Sequence, residues 1–269
     1  MSKKIEINLQ LKGTSTIGIS YLRQACHIFI QRARTYLQEH LNLNNRSLAI
    51  SIPILRAVMI EYIVPTNIDD RILNRAAAAL KNGGLIAHPT DTSWHISCAS
   101  SSSLGLAKLK VLKGGAKGYL FTLMACEISQ ISHIAEISTP QYKLMHRLTP
   151  GPYVFVLGAR RSLEKIMGMK RKEVGIRIPG DPVSRAILET LGEPMFSTTA
   201  AHSMDDPGWW DTGFADENLF EMGWELEGIK GIDTILDGGE ALSKILTTVL
   251  NLTGERIEII RKGLGKYSE

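Results

Sequence analysis

Proline, two threonines and an aspartate fall within four residues at Pro89-Thr90-Asp91-Thr92, directly after the apolar run Leu85-Ile86-Ala87-His88. Proline sets one backbone angle, while the hydroxyls and the carboxylate offer both donors and acceptors. That equipment suits a small zwitterion or a phosphate, and it also suits a plain strand-to-helix turn. A second group is cationic: Lys108, Lys110, Lys113 and Lys117 gather where a helix runs into Lys113-Gly114-Gly115-Ala116-Lys117-Gly118. Glycines let backbone and ammonium groups come close to a phosphate, and cations at a helix end also complement its dipole. Arg177 stands inside the apolar run Val174-Gly175-Ile176-Arg177-Ile178, where an unpaired guanidinium would be costly. It must meet a carboxylate, a carbonyl or a ligand anion. Ser197-Thr198-Thr199 follows Pro194-Met195-Phe196 and is expected at a strand end, capping a helix or receiving phosphate oxygens.

The elements that must position these groups can be read from periodicity. Asp69-Asp70 can cap a helix through the four alanines 76 to 79, with Gly83 as its left-handed terminator. Short apolar runs at 85–88, 121–124, 154–157, 174–178, 232–236, 248–252 and 257–261 are expected to be strands. Helices are expected over 69–82, 101–113, 139–148, 162–168 and 182–192. Their alternation predicts an α/β protein, a sheet with helices on its faces and its ligands at the carboxyl edge. Residues 205–224, with Pro207-Gly208-Trp209-Trp210, are expected to form a surface loop over the ligand.

With 269 residues, 44% of them hydrophobic, the chain can bury a sizeable core. The net charge of +4 permits a polyanionic partner without requiring one. There is no long apolar run for a membrane span and no signal-peptide pattern at Met1-Ser2-Lys3-Lys4, so a cytoplasmic protein without a membrane partner is expected. Cys26, Cys98 and Cys126 are scattered without metal-ligand spacing, and no protein-bound metal or organic cofactor is expected. Cys98 is expected to pack within a buried strand. The chain divides near residue 59. Residues 1–58 are expected to be an N-terminal extension: a helical appendage, a partner-binding arm, or translated sequence upstream of a start at Met59. Tyr21, Leu22, Ala25, Ile28, Phe29, Arg32 and Tyr36 recur at helical spacing there.

Four segments appear in an order and spacing that resemble the YrdC/Sua5/YciO family: the proline-threonine-aspartate-threonine turn, Leu148-Thr149-Pro150-Gly151-Pro152, Val174-Gly175-Ile176-Arg177-Ile178-Pro179 and Ser197-Thr198-Thr199-Ala200-Ala201. Asp233-Thr234-Ile235-Leu236-Asp237-Gly238-Gly239, Thr247-Thr248-Val249 and Ile259-Ile260-Arg261-Lys262-Gly263 fit as well, and the pattern is most similar to YciO. The resemblance implies a twisted open mixed sheet flanked by helices over residues 59–269. It implies an L-threonylcarbamoyladenylate synthase, a nucleotidyltransferase joining L-threonine, bicarbonate and ATP into threonylcarbamoyl-AMP and pyrophosphate for t6A modification of tRNA. Carried over by resemblance, Thr90, Thr92 and Thr199 would contact substrate, with Thr92 and Lys113 at the reaction. Lys113, Arg177, Ser197 and Thr199 would bind the nucleotide, and Mg2+ would arrive on the ATP phosphates.

The chain departs from that pattern at four places. The family's lysine-x-arginine reads Lys113-Gly114-Gly115, and its serine-alanine-asparagine reads Thr199-Ala200-Ala201. Its tyrosine-glycine-leucine reads Trp94-His95-Ile96, expected here as a packed core pair, and Val154 stands where synthases have threonine. A second function therefore stays open, a double-stranded RNA- or tRNA-binding accessory protein without synthase activity. Lys110, Lys117 and Arg171 would be its RNA contacts, within a basic group that also holds Arg160, Arg161, Lys170 and Lys172.

Overall fold

The computed structural model describes residues 58–113, 121–168, 170–202, 204 and 216–268. The helical pattern before residue 58, the glycine loop that contains Lys117, and residues 205–215 lie outside the described residues.

Among the described residues, ten strands form one mixed sheet: β1 (Met59–Tyr62), β2 (Ile86–His88), β3 (His95–Ala99), β4 (Thr122–Met124), β5 (Tyr153–Gly158), β6 (Glu173–Arg177), β7 (Met195–Thr199), β8 (Thr234–Asp237), β9 (Thr248–Asn251) and β10 (Glu258–Arg261). Their order is β1-β8-β2-β3-β7-β4-β6-β5-β9-β10. The helices are α1 (Asp70–Lys81), α2 (Ser103–Leu112), α3 (Thr139–Leu148), α4 (Arg161–Met167) and α5 (Pro182–Leu191). Caps explain several helix limits. The Asp69 carboxylate accepts the Arg71 amide at 2.8 Å, and Gly83 follows α1 at φ +79°. A Cβ on Gly83 would also stand 2.8 Å from the Leu104 side chain.

One face of the sheet is divided between apolar and polar halves. Ile86, Ala99, Met124 and Met195 lie under α1 and α5, packed against Leu73, Ala76, Ala77, Leu80, Val183, Ile187 and Leu188. The alanines of α1 bring that helix close to the strands. Two residues further along the same strands, alternation presents His88, His95, Ser97 and Ser197 on the same face. The register places His88 opposite His95, Ser97 opposite Ser197, and Ser197 opposite Thr122. The polar half is therefore a consequence of register, not of any one loop. The other face carries the larger core, with Leu85, Ile96, Cys98, Leu123, Phe155, Ile176 and Phe196 fully buried.

The structure corrects three expectations. Ser197 and Thr199 lie inside β7 and cap no helix, because Ala99 to His95 of β3 pairs along the whole of that strand. The expected loop over 205–224 ends in packed structure: Leu219 and Phe220 are buried, Ala201 bridges to Leu219, and Gly223–Gly228 forms a 3-10 helix. Apolar side chains spaced too irregularly for a helix or strand signal account for that difference. Strand β1, whose four residues show no alternation, pairs with β8 at the sheet edge.

Cys98 is buried, and burial pushes its thiol up to about 12. Since the thiolate is the nucleophile, native Cys98 should resist iodoacetamide at pH 8 and react only once denaturant is added. Peptide mapping by mass spectrometry checks this, and rapid native labelling at Cys98 would contradict the packing seen here. Among the described residues, no helix is long and apolar enough to cross a membrane.

Candidate active site

The carboxyl ends of β2 and β6 meet at Pro89-Thr90-Asp91-Thr92 and Ile178-Pro179-Gly180. The Gly180 amide lies 3.4 Å from Asp91 Oδ2, and Gly151 of the neighbouring turn donates to Ile178 O at 3.0 Å. Thr90 ties its own turn together. Its hydroxyl donates to Ser93 O at 2.7 Å and accepts the amides of Thr92 and Ser93 at 3.2 Å. The Thr92 hydroxyl lies 3.0 Å from that of Thr90. This accounts for the threonine spacing: one hydroxyl builds the turn and the other faces Arg177.

Arg177 is the centre of the cluster and is 0% exposed. From β6 it reaches past β4 and β7 to β3, where Nη1 lies 3.1 Å from His95 Nε2. Nη2 donates to Asp91 Oδ1 and, at 3.1 Å, to the Thr92 hydroxyl. Burial pulls the guanidinium below its ordinary pKa, and Asp91, with Asp181 further off, pushes back. A guanidinium has no acceptor, so His95 Nε2 must be the bare nitrogen. The His95 proton then sits on Nδ1 and donates to Ser197 Oγ at 2.7 Å. Burial first, then the charge of Arg177, holds His95 well below the usual histidine range.

Behind it, His88 Nδ1 lies 3.0 Å from Pro89 O and Nε2 lies 2.9 Å from Ser97 Oγ. A carbonyl only accepts, so Nδ1–H donates to Pro89 and Nε2 receives the serine proton. Burial lowers His88 to about 4.

Lys113 stands just past α2 as its C-cap residue, 6% exposed, with its ammonium 5.3 Å from the Phe121 ring centroid. Burial, then the charge of Arg171, lowers its pKa to about 8. Arg261 donates from Nε and Nη2 to the carbonyl and hydroxyl of Thr247, at 3.0 and 2.8 Å. Burial lowers it to about 10, with Arg177 adding to the effect. The charges of Arg177, Arg261 and Lys113 all bear on His95. Three cations thus act on His95, with Arg171 acting on Lys113, and Arg177 among them is ion-paired to Asp91.

Of the residues named from the sequence, Thr92, Arg177 and Ser197 join one hydrogen-bonded network through His95, and Thr90 anchors its edge. Thr199, half-buried, pairs across strands with His95. Arg171, expected among RNA contacts, has its charge beside Lys113. The Lys110 ammonium donates to Met167 O at 2.8 Å, closing the end of α4, and Arg160 Nε donates to Ala135 O. Arg161, Lys170 and Lys172 are exposed.

His95 corrects the expectation of a packed Trp94-His95 pair. Trp94 is buried in the core and donates to Glu221 O at 3.2 Å, whereas His95, on the opposite face, links Arg177 to Ser197. Strand alternation could have separated the two. Arg261 was visible only as part of a closing motif, and nothing local marks it as a neighbour of Arg177. Gly175 keeps the floor open, since a Cβ there would stand 3.2 Å from Val154 and 3.7 Å from the Thr122 hydroxyl. A groove of about 680 Å³ lies beside this cluster and touches its rim at Pro150 and Ile178. Thr90, Thr92, Lys113, Arg177, Ser197 and Thr199 do not line it.

An open mixed sheet flanked by helices, with a cationic cluster at its carboxyl edge, defines an α/β protein. Residues 78–263 match the Sua5/YciO/YrdC family, described under telomere recombination, and the chain belongs to that family. It is 33% identical to YciO of Escherichia coli (strain K12) over 205 residues, covering 76% of this chain and 95% of that one. The crystal structure of E. coli YciO superposes with a TM-score of 0.67 at 29% identity, over 78% of this chain and 97% of that one. A threonylcarbamoyl-AMP synthase of Halorhodospira halophila is 28% identical over 136 residues, 50% of this chain and 71% of its own. P. abyssi Sua5 complexed with L-threonine shares the fold, with a TM-score of 0.65 at 21% identity, over 77% of this chain and 58% of that one.

Proposed function

We propose that the protein binds ATP and L-threonine and forms threonylcarbamoyl-AMP with bicarbonate, in the service of tRNA modification. The observation that carries this reading is the convergence of Lys113, Arg177 and Arg261 on a buried face lined by hydroxyls and two neutral histidines, with Arg171 beside Lys113. Like charges are brought together in a buried site when an anion is to be held there. The similarity to threonylcarbamoyl-AMP synthases supports the same choice of substrates.

In the proposed reaction, the threonine amine first attacks the bicarbonate carbon; the N–C bond forms, the C–OH bond breaks, and water leaves to give the N-carboxy form. A carboxylate oxygen then attacks the α-phosphorus of ATP; that O–P bond forms, and the bond to the β-phosphate oxygen breaks to release pyrophosphate. Such a step needs alignment and neutralised charge more than a protein nucleophile. Lys113 supplies an ammonium to the phosphates, and the Ser197 and Thr199 hydroxyls supply neutral donors. Ser197 is pre-set, because it accepts from His95 and keeps its own proton for a ligand. Arg177 acts from below, holding Asp91 and Thr92 in place. Magnesium would enter with the nucleotide.

The test is pyrophosphate release from ATP by the full chain. Release should require both L-threonine and bicarbonate, and Lys113→Ala should lower it about 100-fold or more while the circular dichroism spectrum is unchanged. Release that ignores both co-substrates, or survives in Lys113→Ala, would reject the assignment.

A further inference from the structure

The imidazole of His95 stands between two of the groups that a phosphate would seek. Its Nε2 takes an N–H of Arg177 at 3.1 Å, and its Nδ1–H is spent on Ser197 at 2.7 Å. All three side chains are buried, and the ring is the most accessible of them at 5%, against 0% and 1%. An incoming oxygen must therefore displace the ring to take the Arg177 N–H that it holds, and meets Ser197 only through the hydroxyl's own proton. The bare nitrogen presents to Arg177 what a phosphate oxygen would present, a lone pair, yet without charge. A charged oxygen is the stronger partner for a guanidinium, because it adds charge–charge attraction to the hydrogen bond. The ring is also held firmly in place: it is backed by His88 across β2 and β3, and by Thr199 across β3 and β7.

We propose that His95 is a specificity-determining residue, standing in the place of a ligand oxygen and keeping Arg177 and Ser197 from full contact with a nucleotide triphosphate. The inference rests on the nucleotide reading given above. It gives the intact site a weak hold on triphosphate and leaves Lys113 as its main phosphate contact. A residue without a side chain at 95 frees one N–H of Arg177 and one face of Ser197, and clears the volume of an imidazole between them.

Calorimetric titration of magnesium-ATP into the full chain, into His95→Gly and into His95→Ala tests this. The dissociation constant should fall about tenfold in the variants, the equivalent of one added hydrogen bond to a charged group. A merely structural histidine would give the opposite result, since its loss loosens the site. If the intact chain binds ATP and neither variant binds it more tightly, this proposal is overturned while the nucleotide reading stands. Binding by a variant but not by the intact chain upholds the proposal and withdraws ATP from the intact protein. No binding by any of the three overturns both.

A second measurement needs no variant to fold well. Nitrogen-15 spectra of the intact protein should show His95 with its proton on Nδ1 both with and without magnesium-ATP. A change of tautomer on adding ATP would mean that the ligand displaces the ring, and would overturn the proposal.

Discussion

Replacing Asp91 by alanine is expected to destabilise the protein by about 3–5 kcal/mol, because it strands a fully buried guanidinium. Arg177 has 0% exposure, and its other hydrogen-bond partners, Thr92 and His95, are neutral. Removing the other partner should be milder. In Arg177→Met the abandoned Asp91 is 19% exposed, can take up water, and keeps the Gly180 amide within 3.4 Å. The His95 Nε2 left behind is an uncharged acceptor, costing about 1–3 kcal/mol. Once Arg177 is gone, the further change Asp91→Ala should add less than about 1 kcal/mol, since no buried charge is left to compensate. Urea unfolding of both single variants and the double variant measures all of this. Additive losses, or an Asp91→Ala variant as stable as the parent, would show that the guanidinium finds another counter-ion.

Acidification should also unfold the protein early, through its buried histidines. His88 is held neutral at about 4 and His95 well below its ordinary value, both chiefly by burial. In the unfolded chain both return to about 6.5. Between those values the unfolded state binds protons that the folded state refuses, so stability rises with pH there and is lost as pH falls. His88 alone removes about 2 kcal/mol by pH 5, at about 1.4 kcal/mol per unit, and His95 adds a loss of the same sign. Asp181 and Asp237 work against this at more acidic pH, because burial raises both and the folded state then holds their protons more readily. Unfolding midpoints in urea from pH 7.5 down to 4.5 should fall most steeply below 6.5, and His88→Gln should flatten the slope. A stability curve level across that range would mean that the histidines are not sealed from water.

Much of the fold could be read from the chain because its signals are local. Capping by Asp69, the left-handed Gly83 and the four alanines of α1 each act within a turn or two of their position. Helix α3 was legible to the residue, since its Ser138 and Gln141 form a capping box. Residues 219–228 escaped because their burial depends on Trp94 and the sheet beneath, not on a period. Four-residue β1 escaped because its pairing with β8 spans most of the domain.

The site divides in the same way. The sequence by itself determined which chemical groups are present: the Thr90-Asp91-Thr92 turn, a cation after α2, an arginine inside an apolar strand and hydroxyls at 197 and 199. It also required that Arg177 find a partner, since burial of a bare charge is forbidding in any fold. Only the tertiary structure decided that the partner is Asp91, that Arg261 lies close enough to feel Arg177, and that His95 joins β3 to β6 and β7. Those contacts depend on strand order and register, which bring residues more than eighty positions apart within about 3 Å. Alternation along one strand tells which face a side chain takes; which strands lie beside it is settled by how the whole chain packs.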